Sequence, residues 1–187
     1  MLITADRPAV RRRWLWLGAL GACQLAGLAC AQQHCDLTSY PPSAPTDRYS
    51  LQDEGWVIDT VARLMWMRCS VGQTWSAGQC HGEPRLLDWA AAQQAARELN
   101  QNGSQFYTDW RLPQIRDLAM IAERQCENPR INLLVFPATP DAFYWTATLR
   151  PGDASGQTAM ALSFGPQGLR SADKAMAFHV RLVRGAE

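Results

Sequence analysis

The sequence predicts an α+β domain with an antiparallel sheet, two helices and disulfide bonds. Two segments with helical periodicity lie in the middle of the chain, and strand-like apolar runs lie on either side of them. Of the 187 residues, 47% are hydrophobic and 19% are charged, which supports one packed core and excludes a disordered or coiled-coil chain. The cysteines that follow residue 31 add the expectation of a disulfide-stapled fold.

The N-terminal segment has the features of a signal peptide. Three arginines at 11–13 precede an apolar stretch from 14 to 28, and Ala29-Cys30-Ala31 follows it. This order predicts a signal peptide over residues 1–31. Lipidation at Cys23 would leave only about seven apolar residues before it, and an uncleaved anchor would need roughly 20. We therefore expect an exported protein, periplasmic, cell-surface or secreted, without a transmembrane span after residue 31.

The remaining chain divides into a short leader and one domain. Residues 32–50 contain Pro41, Pro42 and Pro45 and predict an irregular segment. The domain then occupies residues 51–187. Residues 32–187 carry 14 basic and 16 acidic side chains, a net charge of −2, which disfavours nucleic acid as a partner.

Four cysteines lie beyond the predicted cleavage site, at Cys35, Cys69, Cys80 and Cys126. They allow three connectivities, among which the sequence alone does not choose. The short spacing of Cys69 and Cys80 suits a local staple, which leaves Cys35 for Cys126. The histidines beside Cys35 and Cys80 raise the alternative of zinc, but the paired spacing of zinc sites is missing. In an oxidising compartment we expect disulfides, with no metal, cofactor or reactive thiol.

The first elements of the domain are two strands joined by a turn. The apolar runs 56–59 and 64–67 are separated by the four residues 60–63.

Two helices follow. Asp88 is the predicted N-cap of a helix that reaches Leu99 and is stopped by residues 100–103. A second helix is expected to begin near Pro113 and to end near Arg124. Its apolar face comprises Ile115, Leu118, Ala119 and Ala122, and its other faces carry Arg116, Asp117 and Glu123.

The C-terminal part predicts strands. Residues 143–148 are aromatic and β-branched, residues 158–164 run into a turn at 165–168, and residues 175–178 and 180–184 close the chain. His179 lies between the last two runs, where we expect a strand histidine rather than a catalytic base.

The most distinctive stretch is Asp109, Trp110, Arg111, Leu112 and Pro113. Its Trp and Leu are expected to be buried, and its Pro to open the second helix. The guanidinium of Arg111 is expected to bind Asp109 or backbone carbonyls at this change of chain direction. We interpret the stretch as a structural hinge.

This stretch resembles the Lcl C-terminal domain family of bacteria, and the resemblance continues on both sides of it. The further matching segments are 57–60, 64–66, 128–132, 135–137, 144–148 and 180–184. The resemblance implies a C-type lectin-like fold, related to that of sulfatase-modifying factors, and adhesion to sulfated glycosaminoglycans. The chain departs from the adhesive family member in having no Gly-x-y stem. It also lacks the Glu-Pro-Asn and Trp-Asn-Asp segments of a lectin sugar site.

The leading hypothesis is an exported, non-enzymatic module that binds a glycan or an envelope partner, because no catalytic set of residues is evident. One alternative is a structural or assembly protein of the envelope. A less favoured one is an enzyme of the formylglycine-generating type, which would need two reduced cysteines.

Two sets of side chains are candidates for ligand binding. A patch for acidic ligands is expected at Arg170, Lys174, Arg181 and Arg184, with Arg63 and Arg68 as a lesser pair. Strand alternation predicts that Arg181 faces solvent opposite Val180 and Leu182. The alternative is an ordinary solvated surface. Four tryptophans offer stacking rings but are expected mostly in the core: Trp75, Trp89, Trp110 and Trp145.

Overall fold

The computed structural model describes residues 33–102 and 107–186. The predicted signal peptide lies outside the described residues. Within the described part of the chain, no helix is both long enough and apolar enough to cross a membrane.

The described residues form an α+β structure with antiparallel strands and two helices. In chain order its elements are β1 (His34–Cys35), a 3₁₀ turn (Thr46–Arg48), β2 (Tyr49–Leu51), β3 (Trp56–Asp59), β4 (Leu64–Met67), β5 (Thr74–Ser76), β6 (Gln79–His81), α1 (Trp89–Asn102), α2 (Ile115–Met120), β7 (Cys126–Glu127), β8 (Phe143–Leu149), β9 (Thr158–Ser163), β10 (Leu169–Asp173) and β11 (Val183–Gly185).

The strands form two larger sheets and two short ladders. The first sheet has the order β11-β4-β3-β2, so that the last strand of the chain pairs with β4 of the predicted hairpin. The second sheet has the order β10-β9-β8. Two ladders, β1-β7 and β5-β6, complete the pairing of the named strands. Each of these pairs is antiparallel.

Strand alternation divides the interior between two hydrophobic clusters. Met65 of β4 and Trp145 of β8 belong to the cluster that α1 covers. The adjacent Trp66 and Tyr144 belong to the second cluster, together with Phe136. Because successive side chains on a strand point to opposite faces, β4 and β8 each bury residues on both faces. Central segments of this fold are therefore buried on two sides.

The helices differ in length from the prediction. Asp88 caps α1 as predicted, since its Oδ1 accepts the N–H of Ala91 at 2.7 Å. The helix extends past Leu99 to Asn102. Asn100 was predicted to stop it, but instead its side chain both donates to the carbonyl of Trp110 (2.8 Å) and accepts the Trp110 N–H (2.9 Å).

The second helix is shorter than predicted. It begins at Ile115, two residues after Pro113, with Gln114 as its N-cap, and it ends at Met120 rather than near Arg124. Asp117 was expected outside the apolar face but is buried, because it accepts the N–H of Gln114 (2.9 Å) and a bond from Arg111 (3.0 Å). The chain then turns inward at Ile121, which is fully buried.

The late strands were predicted only in part. Strands β8 and β9 form where expected, and the turn at 165–168 separates β9 from β10. The prediction missed β10 and wrongly made a strand of residues 175–178, where the chain turns after Asp173. Composition favours the wrong segment, because residues 175–178 are all small or apolar, whereas β10 contains two charged residues and only one large apolar one.

Two disulfides staple the domain. Cys35 is joined to Cys126, which links β1 to β7, and Cys69 is joined to Cys80, which closes a loop around β5. This is the pairing that the cysteine spacing favoured.

The proline-containing leader is fixed to the domain by Glu123, which the sequence had placed off the apolar face. Its carboxylate is buried and accepts the N–H groups of Ser43 (3.0 Å), Ala44 (2.8 Å) and Gln125 (3.0 Å). Burial alone would raise the pKa of Glu123, but these N–H donors outweigh it and lower the pKa.

Arg181 is the largest charged side chain in the interior, with none of its surface exposed. It lies 4.9 Å above the ring of Phe136. Its guanidinium donates to two carbonyls and two hydroxyls, which belong to Met67 (2.9 Å), Arg68, Thr139 (2.7 Å) and Ser70 (3.4 Å).

We expect Glu123→Gln to make the free energy of unfolding less dependent on pH in the acidic range. Because the folded pKa of Glu123 is depressed, its charged form stabilises the fold above the unfolded value of 4.5, and this contribution is lost as pH falls below it. Urea unfolding should show a loss of about 2 kcal/mol for Glu123→Gln at pH 7 and a smaller loss at pH 4. The control is Glu127→Gln, at an exposed ion pair. Equal losses at both pH values would contradict this role.

We expect Arg181→Met to destabilise the domain by about 3 kcal/mol or more, because carbonyls and hydroxyls inside the fold would lose a charged donor. Arg170→Ala, at an exposed position, should change the free energy of unfolding by less than about 0.5 kcal/mol. Urea unfolding followed by circular dichroism measures both. Arg181→Lys keeps the charge without the planar fork, and it should also lose stability. If Arg181→Met kept the wild-type free energy of unfolding, the stabilising role of the Arg181 guanidinium would be refuted.

Candidate functional site

The described residues enclose a cleft of about 590 Å³. Hereafter "the cleft" denotes this space. Its walls come from the start of β3, the end of β4 with the loop that follows, and three residues of α1. The lining residues are Glu54, Gly55, Trp56, Met67, Cys69, Ser70, Val71, Gly72, Gln73, Thr74, Trp75, Arg85, Ala95, Glu98, Leu99 and Leu182.

The disulfide loop builds one wall of the cleft. All seven residues from Cys69 to Trp75 line the space, and the bond between Cys69 and Cys80 closes this loop. Backbone hydrogen bonds attach the loop to the domain, from the N–H of Val71 to Val180 (2.9 Å) and from that of Arg85 to Val71 (2.8 Å). The wall is thus held both covalently and by backbone pairing.

Trp75 is fixed on the loop by contacts with residues just before β3 and just after β4. Its indole N–H donates to the carbonyl of Asp53 at 2.7 Å, and the guanidinium of Arg68 lies 4.2 Å from its ring. Gly55 packs against the same ring, because a Cβ at that position would lie 2.5 Å from Trp75. With φ at +91°, Gly55 also has a backbone conformation that favours glycine.

Trp56 supplies a second aromatic ring to the cleft. It lies at the start of β3, is half-buried and meets the ring of Tyr107 edge to face at 5.7 Å. The two lining tryptophans, Trp56 and Trp75, are each partly accessible, whereas Trp110 and Trp145 are buried in the core. Of the four tryptophans named as stacking candidates, Trp75 alone lines the cleft, and Trp89 is half-buried beneath Lys174.

Polar groups in the floor of the cleft are engaged within the protein. The hydroxyl of Ser70 lies 2.7 Å from that of Tyr144, and the side-chain amide of Gln73 donates to the carbonyls of Gly82 and Ala138. The oxygen of Gln73 accepts the N–H of Ser70 at 3.1 Å. The floor therefore offers an incoming molecule mainly apolar surface.

Charged groups lie at the rim. The carboxylate of Glu54 and the guanidinium of Arg85 form no hydrogen bond or ion pair with any described residue, and both residues are exposed. Glu98 is also exposed and accepts one bond, from Gln94 at 3.2 Å. These side chains remain available to a ligand.

The charged side chains that line the cleft are two glutamates, Glu54 and Glu98, and one arginine, Arg85. The described residues contain no group of three or more His, Cys, Asp or Glu side chains arranged to hold a metal ion. His179 is buried and does not line the cleft, and its Nδ1 lies 3.1 Å from the carbonyl of Arg85. Burial lowers the pKa of His179, which keeps the ring neutral at pH 7.

The predicted acidic-ligand patch does not form. Arg170 is exposed and Lys174 is half-buried, but Arg181 and Arg184 are both buried. The Nε of Arg184 donates to Asp109 at 2.6 Å. The expectation that Arg181 faces solvent is wrong because the segment 180–182 is covered on both faces, by one hydrophobic cluster on each.

The lesser cationic pair also separates. Arg63 is exposed in the turn before β4, whereas Arg68 is buried. Arg68 donates to the carbonyls of Val135 (2.8 Å) and Leu134 (2.8 Å). Its charge is thus used inside the protein.

The stretch 109–113 forms a junction between α1 and α2, outside the cleft lining. The backbone of Arg111 exchanges two hydrogen bonds with Val183, at 2.9 and 3.0 Å. The side chain of Arg111 donates to Asp117 (3.0 Å) and to the carbonyl of Leu112 (3.1 Å). Asp109, which was one expected partner of Arg111, instead binds Arg184.

Sequence reasoning did not identify the cleft. Its two rings are 19 positions apart in the chain, and its α1 residues, Ala95, Glu98 and Leu99, have no feature in the sequence that marks a binding site. The available signal was the loop between Cys69 and Cys80, which carries a tryptophan at Trp75 and is short enough to be held rigidly.

A comparison with protein-family models matches residues 55–184 to the Lcl C-terminal domain, and a comparison with curated proteins gives no match. The matched range includes every lining residue of the cleft except Glu54. It also includes the junction at 109–113 and the disulfide between Cys69 and Cys80. Because the match covers more than two thirds of the sequence, this chain belongs to the Lcl C-terminal domain family.

Proposed function

We propose that the protein is an exported, non-enzymatic binding module and that the cleft is its ligand site. The observation that carries this proposal is the cleft itself, an open space of about 590 Å³ with two partly accessible tryptophans and uncommitted charges at its rim. Sites for small molecules commonly have such volumes and such mixtures of apolar walls and few polar groups.

The rigidity of the walls supports a binding role. Trp75 is held by one hydrogen bond, by the guanidinium of Arg68 and by close packing on Gly55. A preformed site loses little conformational entropy when a ligand enters. The C-type lectin-like relationship that the family resemblance implies remains part of this proposal.

The state of the cysteines supports export and argues against the formylglycine-generating alternative. That chemistry needs two reduced cysteines, and all four cysteines of the described residues are in disulfides. Disulfides form and persist in oxidising compartments, which agrees with a signal peptide over residues 1–31.

The separation of the predicted cationic patch changes the expected ligand. Binding of sulfated glycans requires clustered, exposed Arg or Lys, and two of the four predicted residues, Arg181 and Arg184, are buried. Adhesion to an acidic glycan thus loses its main support, and the cleft becomes the better candidate surface.

Filling the cleft should abolish ligand binding. Ala95 lines the cleft on α1, whereas Ala90 is exposed on the same helix and lies outside the lining. We expect some members of a small-fragment library to bind with Kd near the millimolar range and to shift the indole N–H signals of Trp56 and Trp75 in two-dimensional NMR. Ala95→Phe should remove these shifts and Ala90→Phe should preserve them.

The melting temperature of each variant serves as the folding control, and Ala95→Leu is the smaller substitution if Ala95→Phe is unstable. A library without a single fragment sensitive to the Ala95 substitution would refute the cleft as the site. The structural or assembly role in the envelope would then be the better hypothesis.

A thiol count tests the enzymatic alternative. We expect no free thiol in the purified exported protein under denaturing, non-reducing conditions, because Cys35, Cys69, Cys80 and Cys126 are paired. The measurement is a colorimetric thiol assay combined with intact mass, which also shows whether residues 1–31 have been removed. Two free thiols among these four cysteines would favour the enzyme.

A further inference from the structure

The structure assigns to the cleft a ligand of definite chemistry: a small molecule with an apolar body and one positively charged amine. This inference rests on the proposed function, because it names the ligand class of the same site. It follows from three properties of the lining: the state of its polar groups, the position of its aromatic rings and the balance of charge at its rim.

The floor of the cleft favours an apolar group. The hydroxyl of Ser70 is bound to Tyr144, and the side chain of Gln73 is bound to backbone groups of Ser70, Gly82 and Ala138. The remaining floor includes Met67, Val71 and Leu182. A sugar hydroxyl buried against these three apolar side chains would lose its hydrogen bonds to water without replacement, which disfavours binding. An aliphatic or aromatic body loses no such bonds.

The lining tryptophans add to this preference. Trp56 and Trp75 present large rings that gain from contact with an apolar or aromatic body. A cation already lies on the ring of Trp75, since the guanidinium of Arg68 is 4.2 Å from it. We therefore place the positive charge of the ligand at the rim rather than on Trp75.

The rim has an acidic excess. Two carboxylates, those of Glu54 and Glu98, line the cleft against one guanidinium, that of Arg85. Of the exposed charged residues near these positions in the sequence, Asp53 and Glu83 are acidic and Arg97 is basic, so the excess remains acidic. An ammonium group at the mouth of the cleft would be attracted by the unpaired Glu54 carboxylate, and an anion would be repelled.

Three probes with one apolar body and different charges test the inference. They are 4-phenylbutylamine, 4-phenylbutan-1-ol and 4-phenylbutanoate, titrated at pH 7 and low salt into the full-length exported protein. The shifts of the Trp56 and Trp75 indole signals measure binding. We expect the amine to bind most tightly, the alcohol less tightly and the carboxylate least, and added salt to reduce the advantage of the amine.

Charge removal at the rim provides the matched variants. Glu54→Gln with Glu98→Gln should weaken amine binding about fivefold, which is the effect of losing two exposed ion pairs of ordinary strength, and should leave alcohol binding unchanged. Glu127→Gln is the control, because Glu127 is exposed, is bound to Arg130 and lies outside the cleft lining. It should leave all three affinities unchanged.

The outcomes separate this inference from the proposed function. Equal binding of amine and alcohol, or tighter binding of the carboxylate, would overturn the inference. A neutral sugar that binds more tightly than the amine, and whose binding Ala95→Phe abolishes, would overturn it as well while leaving the cleft as a ligand site. If no probe or library fragment responds to Ala95→Phe, the proposed function itself fails.

Discussion

The buried guanidinium of Arg181 is the interaction on which the rest of the structure depends. It binds the carbonyls of Met67 and Arg68 at the end of β4 and the hydroxyl of Thr139 on a separate loop. Burial lowers the pKa of Arg181, yet a guanidinium remains charged, so this cation is stabilised by dipoles and an aromatic ring instead of a carboxylate. The planar guanidinium of Arg181 thereby fixes the position at which β4 ends and the disulfide loop begins.

The cleft is a consequence of that arrangement. The loop that leaves β4 at Cys69 is held at its start by Arg181 and through the disulfide with Cys80, and it carries Trp75 back onto Gly55. The disulfide joins residues that are only 11 positions apart in the sequence. The loop between them therefore has little freedom to move into the cleft. The opposite side is helix α1, whose small Ala95 leaves room for a ligand.

Membership in the Lcl C-terminal domain family defines the framework of this protein more closely than it defines the ligand. The matched range carries the junction at 109–113, where Asp109 binds Arg184 and Asp117 binds Arg111. Arg184, which the sequence analysis assigned to a patch for acidic ligands, is thus bound within the protein. The basic residues of the chain are thus divided between framework and surface, and the rim of the cleft retains an acidic excess.

The sequence by itself determined the α+β class, the hairpin of β3 and β4, the cap at Asp88 and the family, because these follow from local periodicity, capping chemistry and ordered motifs. The short spacing of Cys69 and Cys80 also indicated their pairing. Only the tertiary structure decided the burial of Arg181 and the existence of the cleft. Strand alternation distinguishes two faces but cannot show that both are covered, and residues distant in sequence form one site only after the chain has folded.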